Sequence, residues 1–468
     1  MAEIDPNFGQ RSPCRMLTQA DTTNGPRNAT TMGSKLRAAN ARWRYNRLVC
    51  HKIMRRLLPG HGRKRVTTIP MATPTIRLPI PRTVWVLGFV SMFMDVSSEI
   101  VHALLPIFLT STLGASVAFV GLLDGTAEAT ASIAKVYSGY LSDRVGKRKP
   151  LILLGYGLGA FSKPFFALAG SPALVLGARL VDRVGKGLRG APRDALVADV
   201  TPIAIRGRAY GLRQSLDTVG AFVGPLIAIV LMAVLANDIR TVFWIAAIPG
   251  AVAVLLVAIG LDGENHRSAS RDVKLPLRMS DLRTFDRGFW SVVVIGIVFT
   301  MARFSEAFLI LRATGMGLPV ALAPLVLVLM NLVYSLGAYP AGALSDSLGP
   351  RMPMFIALVC LVAADGMLAA GTGLVAIFVG IGFWGLHMAF SQGLLAQLVA
   401  DRCPENRRGS AFGLFNLATG LATLVSSVVA GILWDRVGAP AAFMTGGGFA
   451  TLAALLLMIP NTTPTNES

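Results

Sequence analysis

Four ionisable residues stand inside one apolar stretch of this chain: Arg179, Asp182, Arg183 and Lys186. Their spacing puts them on a single face of a helix. A charge held at mid-bilayer costs roughly 2.5–3.5 kcal/mol on insertion scales, so a stripe of charges must face partners or water. Acids occupy the neighbouring apolar stretches. Asp95, Glu99 and His102 share one helical face, Asp124, Glu128 and Lys135 share another, and Arg213 and Asp217 a third. Lys163 adds a further base. Acids and bases are balanced, which predicts a paired network rather than a sink for an anion. The chemistry open to such a network is proton transfer. Desolvation favours a neutral carboxyl and a nearby arginine favours a carboxylate, so a helix movement that exchanges these settings loads and releases a proton. Glu99 and Asp95 are the leading carriers on this reading, followed by Glu128 and Asp124. Arg183 or Arg179 acts as modulator, with Asp182 and Asp217 inside the same network. Static ion pairing is the competing reading for each of these residues.

The elements that position these groups must cross a membrane. The chain has 468 residues, 53% hydrophobic and only 15% charged, against about 25% charged in ordinary soluble domains. The formal charge of +19 would suggest nucleic acid. Residues 1–82, however, hold 16 Lys and Arg against 3 Asp and Glu, so most of the excess belongs to a polar arm and no nucleic-acid partner is expected. That arm is expected to be disordered, or to form a basic amphipathic helix over 34–58 on an anionic membrane surface; it has no signal-peptide pattern. The four cysteines are scattered without metal-ligand spacing, so no metal site is predicted. No P-loop, HExxH or GxSxG pattern occurs, and Gly155-x-Gly157-x-x-Ala160 lies inside an apolar run with no strand before it. Neither an enzyme nor a cofactor is expected, and transport would have to run on an ion or solute gradient.

Twelve apolar runs follow, near 84–110, 117–141, 150–169, 172–193, 208–235, 240–260, 288–311, 318–344, 352–370, 373–399, 409–433 and 440–460, each long enough to cross ~30 Å of hydrocarbon. The polar connection 261–287 divides them into six and six, predicting halves at 83–260 and 288–460 with a short tail at 461–468. Lys and Arg crowd the connections on one side, among them Arg144, Lys147, Arg148, Lys149, Arg206 and Arg408, whereas the other side has Arg240, Arg312 and Arg436. The positive-inside rule then places both termini in the cytoplasm and the protein in the inner (plasma) membrane. The halves are repeats. Gly139-Tyr-Leu-Ser-Asp143-Arg-Val-Gly146 matches Gly342-Ala-Leu-Ser-Asp346-Ser-Leu-Gly349, Leu196–Asp199 matches Leu398–Asp401, and Ser98-Glu99 corresponds more loosely to Ser305-Glu306. Duplicated halves of six spans are the pattern of a secondary transporter with its site between them, near the midplane.

The loop Gly139-x-Leu141-Ser142-Asp143-Arg144-x-Gly146-Lys147-Arg148 resembles the hallmark loop between helices 2 and 3 of the major facilitator superfamily, with Gly342, Asp346 and Gly349 in the second copy. That resemblance covers residues 84–460 and implies an all-α fold of twelve membrane helices in two pseudo-symmetric halves. It also implies that Gly139, Asp143, Arg144, Gly146 and Arg148 latch one state of the transport cycle, Asp143 facing the positive end of a helix. Gly211-x8-Gly220-x3-Gly224-Pro225 resembles the helix-5 motif of the superfamily's antiporters, although Ala228 and Ile229 stand where two more glycines belong. Arg183-x-x-Lys186-Gly187 fits a helix-4 motif implicated in proton transfer, with Lys in place of Gln; Arg179 is the alternative register. The neutral second half is expected to supply the solute wall, with Asn331, Tyr334, Trp384, Phe390, Gln392 and Asn416 as candidates. The expected activity is proton-coupled efflux by antiport of a drug-like or amphipathic small molecule, carried out by a monomer in the bilayer. The alternatives are proton-coupled symport of a small organic anion, and a non-transporting sensor on the same fold.

Overall fold

The computed structural model describes residues 79–145, 148–202, 205–261, 285, 287–349, 351–391, 395, 398–399, 402 and 408–458. The helix expected over 34–58 therefore lies outside the described residues, as do Gly146 and Gln392. Among the described residues the chain is helical, without strands. The first half holds α1 (Arg82–Ile107), α2 (Val117–Val145), α3 (Arg148–Leu168), α4 (Pro172–Val200), α5 (Arg206–Val234) and α6 (Ile239–Gly260). The second holds α7 (Arg287–Ala302), α8 (Ala307–Gly315), α9 (Leu325–Leu348), α10 (Arg351–Ala370), α11 (Leu374–Ser391), α12 (Arg408–Arg436) and α13 (Ala439–Met458). Together α7 and α8 make the seventh span, giving twelve.

Eleven of these spans are long and apolar enough to cross a membrane by composition alone. The one that is not is α4, whose four central charges would cost about 10–14 kcal/mol if inserted unpaired. It holds its place because neighbours answer three of those charges, Arg179, Asp182 and Arg183, and the fourth, Lys186, opens to a cavity. Its start is set locally: Ser171 accepts a hydrogen bond from the Leu174 amide and Pro172 opens the first turn. On one side Gly155 and Gly185 let α3 and α4 touch backbone to backbone; a Cβ on Gly185 would lie 2.6 Å from the Gly155 carbonyl oxygen. On the other, Gly187 packs against Ala131 and Ala134 of α2.

The seventh span is not the continuous run expected over 288–311. Helix α7 ends at Ala302, the backbone leaves helical geometry at Arg303–Ser305, and α8 restarts at Ala307, where the Ser305 Oγ accepts from the Ala307 amide at 3.1 Å. Irregular backbone at membrane depth is tolerated where it lines a cavity or is buried in protein. Here it does the first.

The halves meet chiefly along α2 with α12 and α5 with α9, and α1 also touches α8. The connections rich in Lys and Arg mark one end of the molecule, the basic end. At the opposite end α2 and α12 are in close contact. Added Cβ atoms would lie 2.1 Å from the Ser427 carbonyl oxygen at Gly121, 2.8 Å from the Leu424 Cα at Gly125, and 2.6 Å from the Ala118 Cα at Gly431. Farther toward the basic end the approach loosens to 3.4 Å at Gly420. The two helices therefore diverge toward the basic end.

Candidate functional site

The widening space between the halves is a cavity of about 450 Å³. Its first-half wall carries Glu99 and His102 from α1, Asp124 and Glu128 from α2, and Arg179, Arg183 and Lys186 from α4. Its second-half wall carries the break itself (Arg303, Phe304, Ser305, Glu306), Phe299 and Thr300 of α7, and Phe415, Thr419, Thr423 and Ser427 of α12.

Helices α2 and α4 run in the same direction, and each offers two charged residues four positions apart. The result is a ladder. The Arg179 Nη2 donates to Asp124 Oδ1 at 3.3 Å, and one turn on the Arg183 Nη1 meets Glu128 Oε1 at 3.2 Å. Both candidate arginines are thus engaged by an acid of α2. Asp124 is also bonded across the interface: the Ser305 Oγ of the second half donates to its Oδ2 at 2.6 Å. Asp182 joins this ladder to α3: its Oδ2 lies 3.8 Å from the Arg183 Nε, while on its other oxygen the Lys163 Nζ approaches at 2.9 Å and also donates to the Ser98 Oγ of α1 at 3.1 Å. Lys163 and Asp182 are both almost fully buried, so this pair ties α1, α3 and α4 together inside the first half. Glu99 faces His102 at 3.5 Å on its own helix.

A second group of charges lies below the cavity, toward the basic end. The Arg193 Nη1 donates to the Ser91 Oγ at 2.7 Å, and the Ser91 hydroxyl shares a hydrogen bond with the Tyr156 hydroxyl at 2.9 Å. The Arg189 guanidinium lies 4.8 Å from the centre of the Tyr156 ring. Arg213 pairs with Asp217 at 2.6 Å and with Asp194 at 3.8 Å. Asp95 sits between the two groups, with Asp217, Arg189, Lys186 and Arg193 as its charged surroundings. Charged residues of α4 thus recur from Arg179 to Asp199, never more than five positions apart.

The glycines of α5 have a definite role. A Cβ on Gly220 would lie 2.6 Å from the Met92 carbonyl oxygen, and one on Gly224 would lie 2.7 Å from the Glu99 Cβ. These two glycines let α5 seat against the acid-bearing face of α1, with Pro225 buried in the next turn. Gly211 meets nothing within 4 Å and takes no part in that seat.

Of the loop residues, Arg148 donates through Nε to Asp199 Oδ2 at 2.7 Å and through Nη1 to the Ser142 Oγ at 3.3 Å. The two motifs repeated between the halves therefore meet in space, one supplying the base and the other the acid. Gly139 packs in ordinary contact with Ala191 of α4, Gly342 meets nothing within 4 Å, and Gly349 has φ +75°, a conformation that favours glycine. The side chains of Asp143, Arg144 and Asp346 lie outside the described residues.

The wall residues picked for polarity lie elsewhere. Asn331 donates to the Ala221 carbonyl oxygen at 3.4 Å across the α5–α9 contact. Trp384 is fully buried, its ring 5.6 Å from that of Phe304. Tyr334 is half-buried against a core shared by the two halves, and Asn416 is exposed one turn from the cavity-lining Thr419. The break residues took their place. The signal for them was the correspondence of Ser305-Glu306 with Ser98-Glu99, which puts Glu306 opposite Glu99 on the two walls. Sequence reasoning also passed over Asp435. Its carboxylate, near the end of α12, accepts from the Val117 amide at 3.1 Å and the Ala118 amide at 2.7 Å. A residue of one half thus caps the first turn of a helix in the other, at the end opposite the basic loops.

Comparison with known proteins agrees with this architecture. The sequence matches the Major Facilitator Superfamily over residues 87–395 and again over 293–468. An uncharacterized MFS-type transporter of Methanocaldococcus jannaschii is 30% identical over 399 residues, covering 81% of this chain and 95% of that protein. The multidrug resistance protein MdtH of Edwardsiella ictaluri is 32% identical over 148 residues, 32% of this chain and 36% of MdtH. Among solved structures, the nucleoside transporter NupG superposes with a TM-score of 0.68 at 15% identity, covering 80% of this chain and 99% of NupG. A POT family transporter in complex with a thioalcohol-conjugated peptide gives 0.69 at 13% identity, covering 81% and 96%. The likeness to these structures is one of fold. The chain is a multi-pass membrane transporter of small molecules, not an enzyme, and belongs to the Major Facilitator Superfamily.

Proposed function

We propose that this transporter couples solute movement to protons by alternating access of the central cavity. The observation that carries the reading is the position of Asp124. Its carboxylate is bonded to Arg179 within the first half and to Ser305 of the second, so its surroundings must change whenever the halves rock. A carboxylate that loses a cationic partner and a hydroxyl donor binds a proton more readily. Glu99 and Glu128 line the same cavity wall, and the Asp95 group continues the chain of titratable residues toward the basic end. With the basic end in the cytoplasm, as the positive-inside rule requires, the state described here is open inward in the inner (plasma) membrane. The Gly139–Arg148 loop and its second copy would latch the opposite, inward-closed state.

Efflux of amphipathic compounds by antiport is the direction supported by the α5 glycine seat and by the partial likeness to a protein named for multidrug resistance. Uptake of an organic anion by symport is the second reading, supported by the cations of the cavity wall that no acid fully engages. Flux driven by a pH gradient, measured with Asp95, Glu99, Asp124 and Glu128 neutralised in turn, tests the common core. Loss of coupling in at least one variant is expected; full gradient-driven flux in all of them overturns the proposal.

A further inference from the structure

The cavity wall holds four cations, and they are not equivalent. Arg179 and Arg183 are nearly buried and each meets a carboxylate. Lys186 is exposed on the cavity wall and has no hydrogen bond or ion pair among the described residues. Arg303, in the break of the seventh span, has a side chain 33% exposed and only one acid in reach, Glu306, at the outer limit of 4.0 Å. The least engaged positive charge of the cavity therefore comes from Lys186, which forms no ion pair with its acid neighbours Glu128 and Asp95, on one half and Arg303 on the other.

We propose that Lys186 and Arg303 form an anion subsite that becomes fully available when Glu306 takes up a proton, and that the solute is an organic anion with an aromatic or apolar body. This rests on the proton-coupled reading above and favours its symport direction. The proton comes from water and ends on the Glu306 carboxylate; no bond to the solute is made or broken. Once Glu306 is neutral, Arg303 has no competing acid on its own segment, and an anion held between the two halves draws both cations inward. The body of the solute then lies against Phe299, Phe304 and Phe415, which line the cavity beside Arg303. A purely apolar solute would strand these charges, and a cation would face Lys186 and Arg303 unscreened. The charged groups facing Glu306 are His102 and Glu99 of α1, Glu128 of α2 and Arg303. Tyr334 of α9 and His387 of α11 are the titratable groups from the other helices that feel Arg303. Tyr334 is half-buried and His387 fully buried, and neither is a carboxylate that competes with the solute for Arg303.

The test is equilibrium binding to the full-length protein in detergent, with three probes of one shape: 2-naphthoate, neutral 2-naphthamide and 2-naphthylmethylammonium. Naphthoate should bind in preference to the other two, and more tightly as pH falls from 8 to 6 (on the order of the proton competition expected for one linked group). Lys186→Gln should weaken naphthoate roughly ten- to hundredfold, as expected for one lost charge-assisted contact, with Lys186→Arg restoring much of it. Glu306→Gln should keep naphthoate binding while removing its pH dependence. Unselective binding, no naphthoate binding at millimolar concentration, Lys186→Gln at wild-type affinity, or a pH dependence that survives Glu306→Gln would each overturn the subsite. Anion-selective binding by a protein whose flux ignores a pH gradient would leave the subsite standing and refute proton coupling instead.

Discussion

Removing the Asp435 carboxylate should shift the protein away from the state described here. The two hydrogen bonds it accepts, at 3.1 and 2.7 Å from Val117 and Ala118, join different halves and can exist only while the end opposite the basic loops is closed. An N-cap is worth about 0.5–2 kcal/mol, and the helix-dipole contribution overlaps with it. The contact is exposed to solvent, so about 1–2 kcal/mol is the reasonable total for Asp435→Ala. That corresponds to a change of roughly 5–30-fold in the ratio of closed to open states at that end. Asp435→Asn retains one acceptor oxygen and should shift it less. The reporter is a single cysteine, Thr423→Cys, on the cavity wall in an otherwise cysteine-free chain, labelled from the outer face by a membrane-impermeant thiol reagent. Its labelling rate follows the open population even when that population is small. Asp435→Ala should raise the rate by about the same 5–30-fold. An unchanged or slower rate would refute the inference that this cap holds the outer end shut.

Three further outcomes follow from the packing and the pairs. Gly121→Ala places a methyl group 2.1 Å from the Ser427 carbonyl oxygen, so α2 and α12 must separate and the same cysteine should label faster. Lys163→Met removes the 2.9 Å partner of Asp182 and leaves it only the Arg183 Nε, 3.8 Å away, in the first-half interior, and should cost about 3 kcal/mol, seen as a lower Tm in detergent. The double change Lys163→Met with Asp182→Leu should recover much of that loss. Gly220→Val drives a side chain into the Met92 carbonyl 2.6 Å away and should lower Tm, whereas a valine at Gly211, which meets nothing within 4 Å, should leave it unchanged.

The architecture was legible in the sequence because it rests on run length, repeat offset and loop charge, none of which depends on how a helix is rotated. The first-half network was legible for a related reason. Charges at mid-membrane are costly, so their number and balance point to a paired network; which arginine meets which acid depends on how α2 and α4 pack, and spacing does not give that. The second-half wall was not, because few charges mark its inner face and polarity is a poor guide to rotation. Asn331 is used in a helix contact and Trp384 fills the core. The break at Arg303–Ser305 was hidden for a different reason. Ser and Glu next to an apolar run also fit an unbroken helix, and only the repeat with Ser98-Glu99 set them apart. Asp435 escaped notice because orientation arguments weigh Lys and Arg at the basic end and ignore acids at the other. Its place one turn before Gly438, which has φ +116°, was the available signal that it ends a helix.

The central claim is that solute and proton move through one cavity as a coupled pair. The direct measurement is the internal pH of proteoliposomes during addition of an outside panel of anionic, cationic and neutral solutes. The account predicts that any transported solute moves the internal pH: toward acid for the anion symport that Lys186, Arg303 and Glu306 favour, toward alkaline for antiport. Transport of a solute that leaves internal pH unchanged would contradict it.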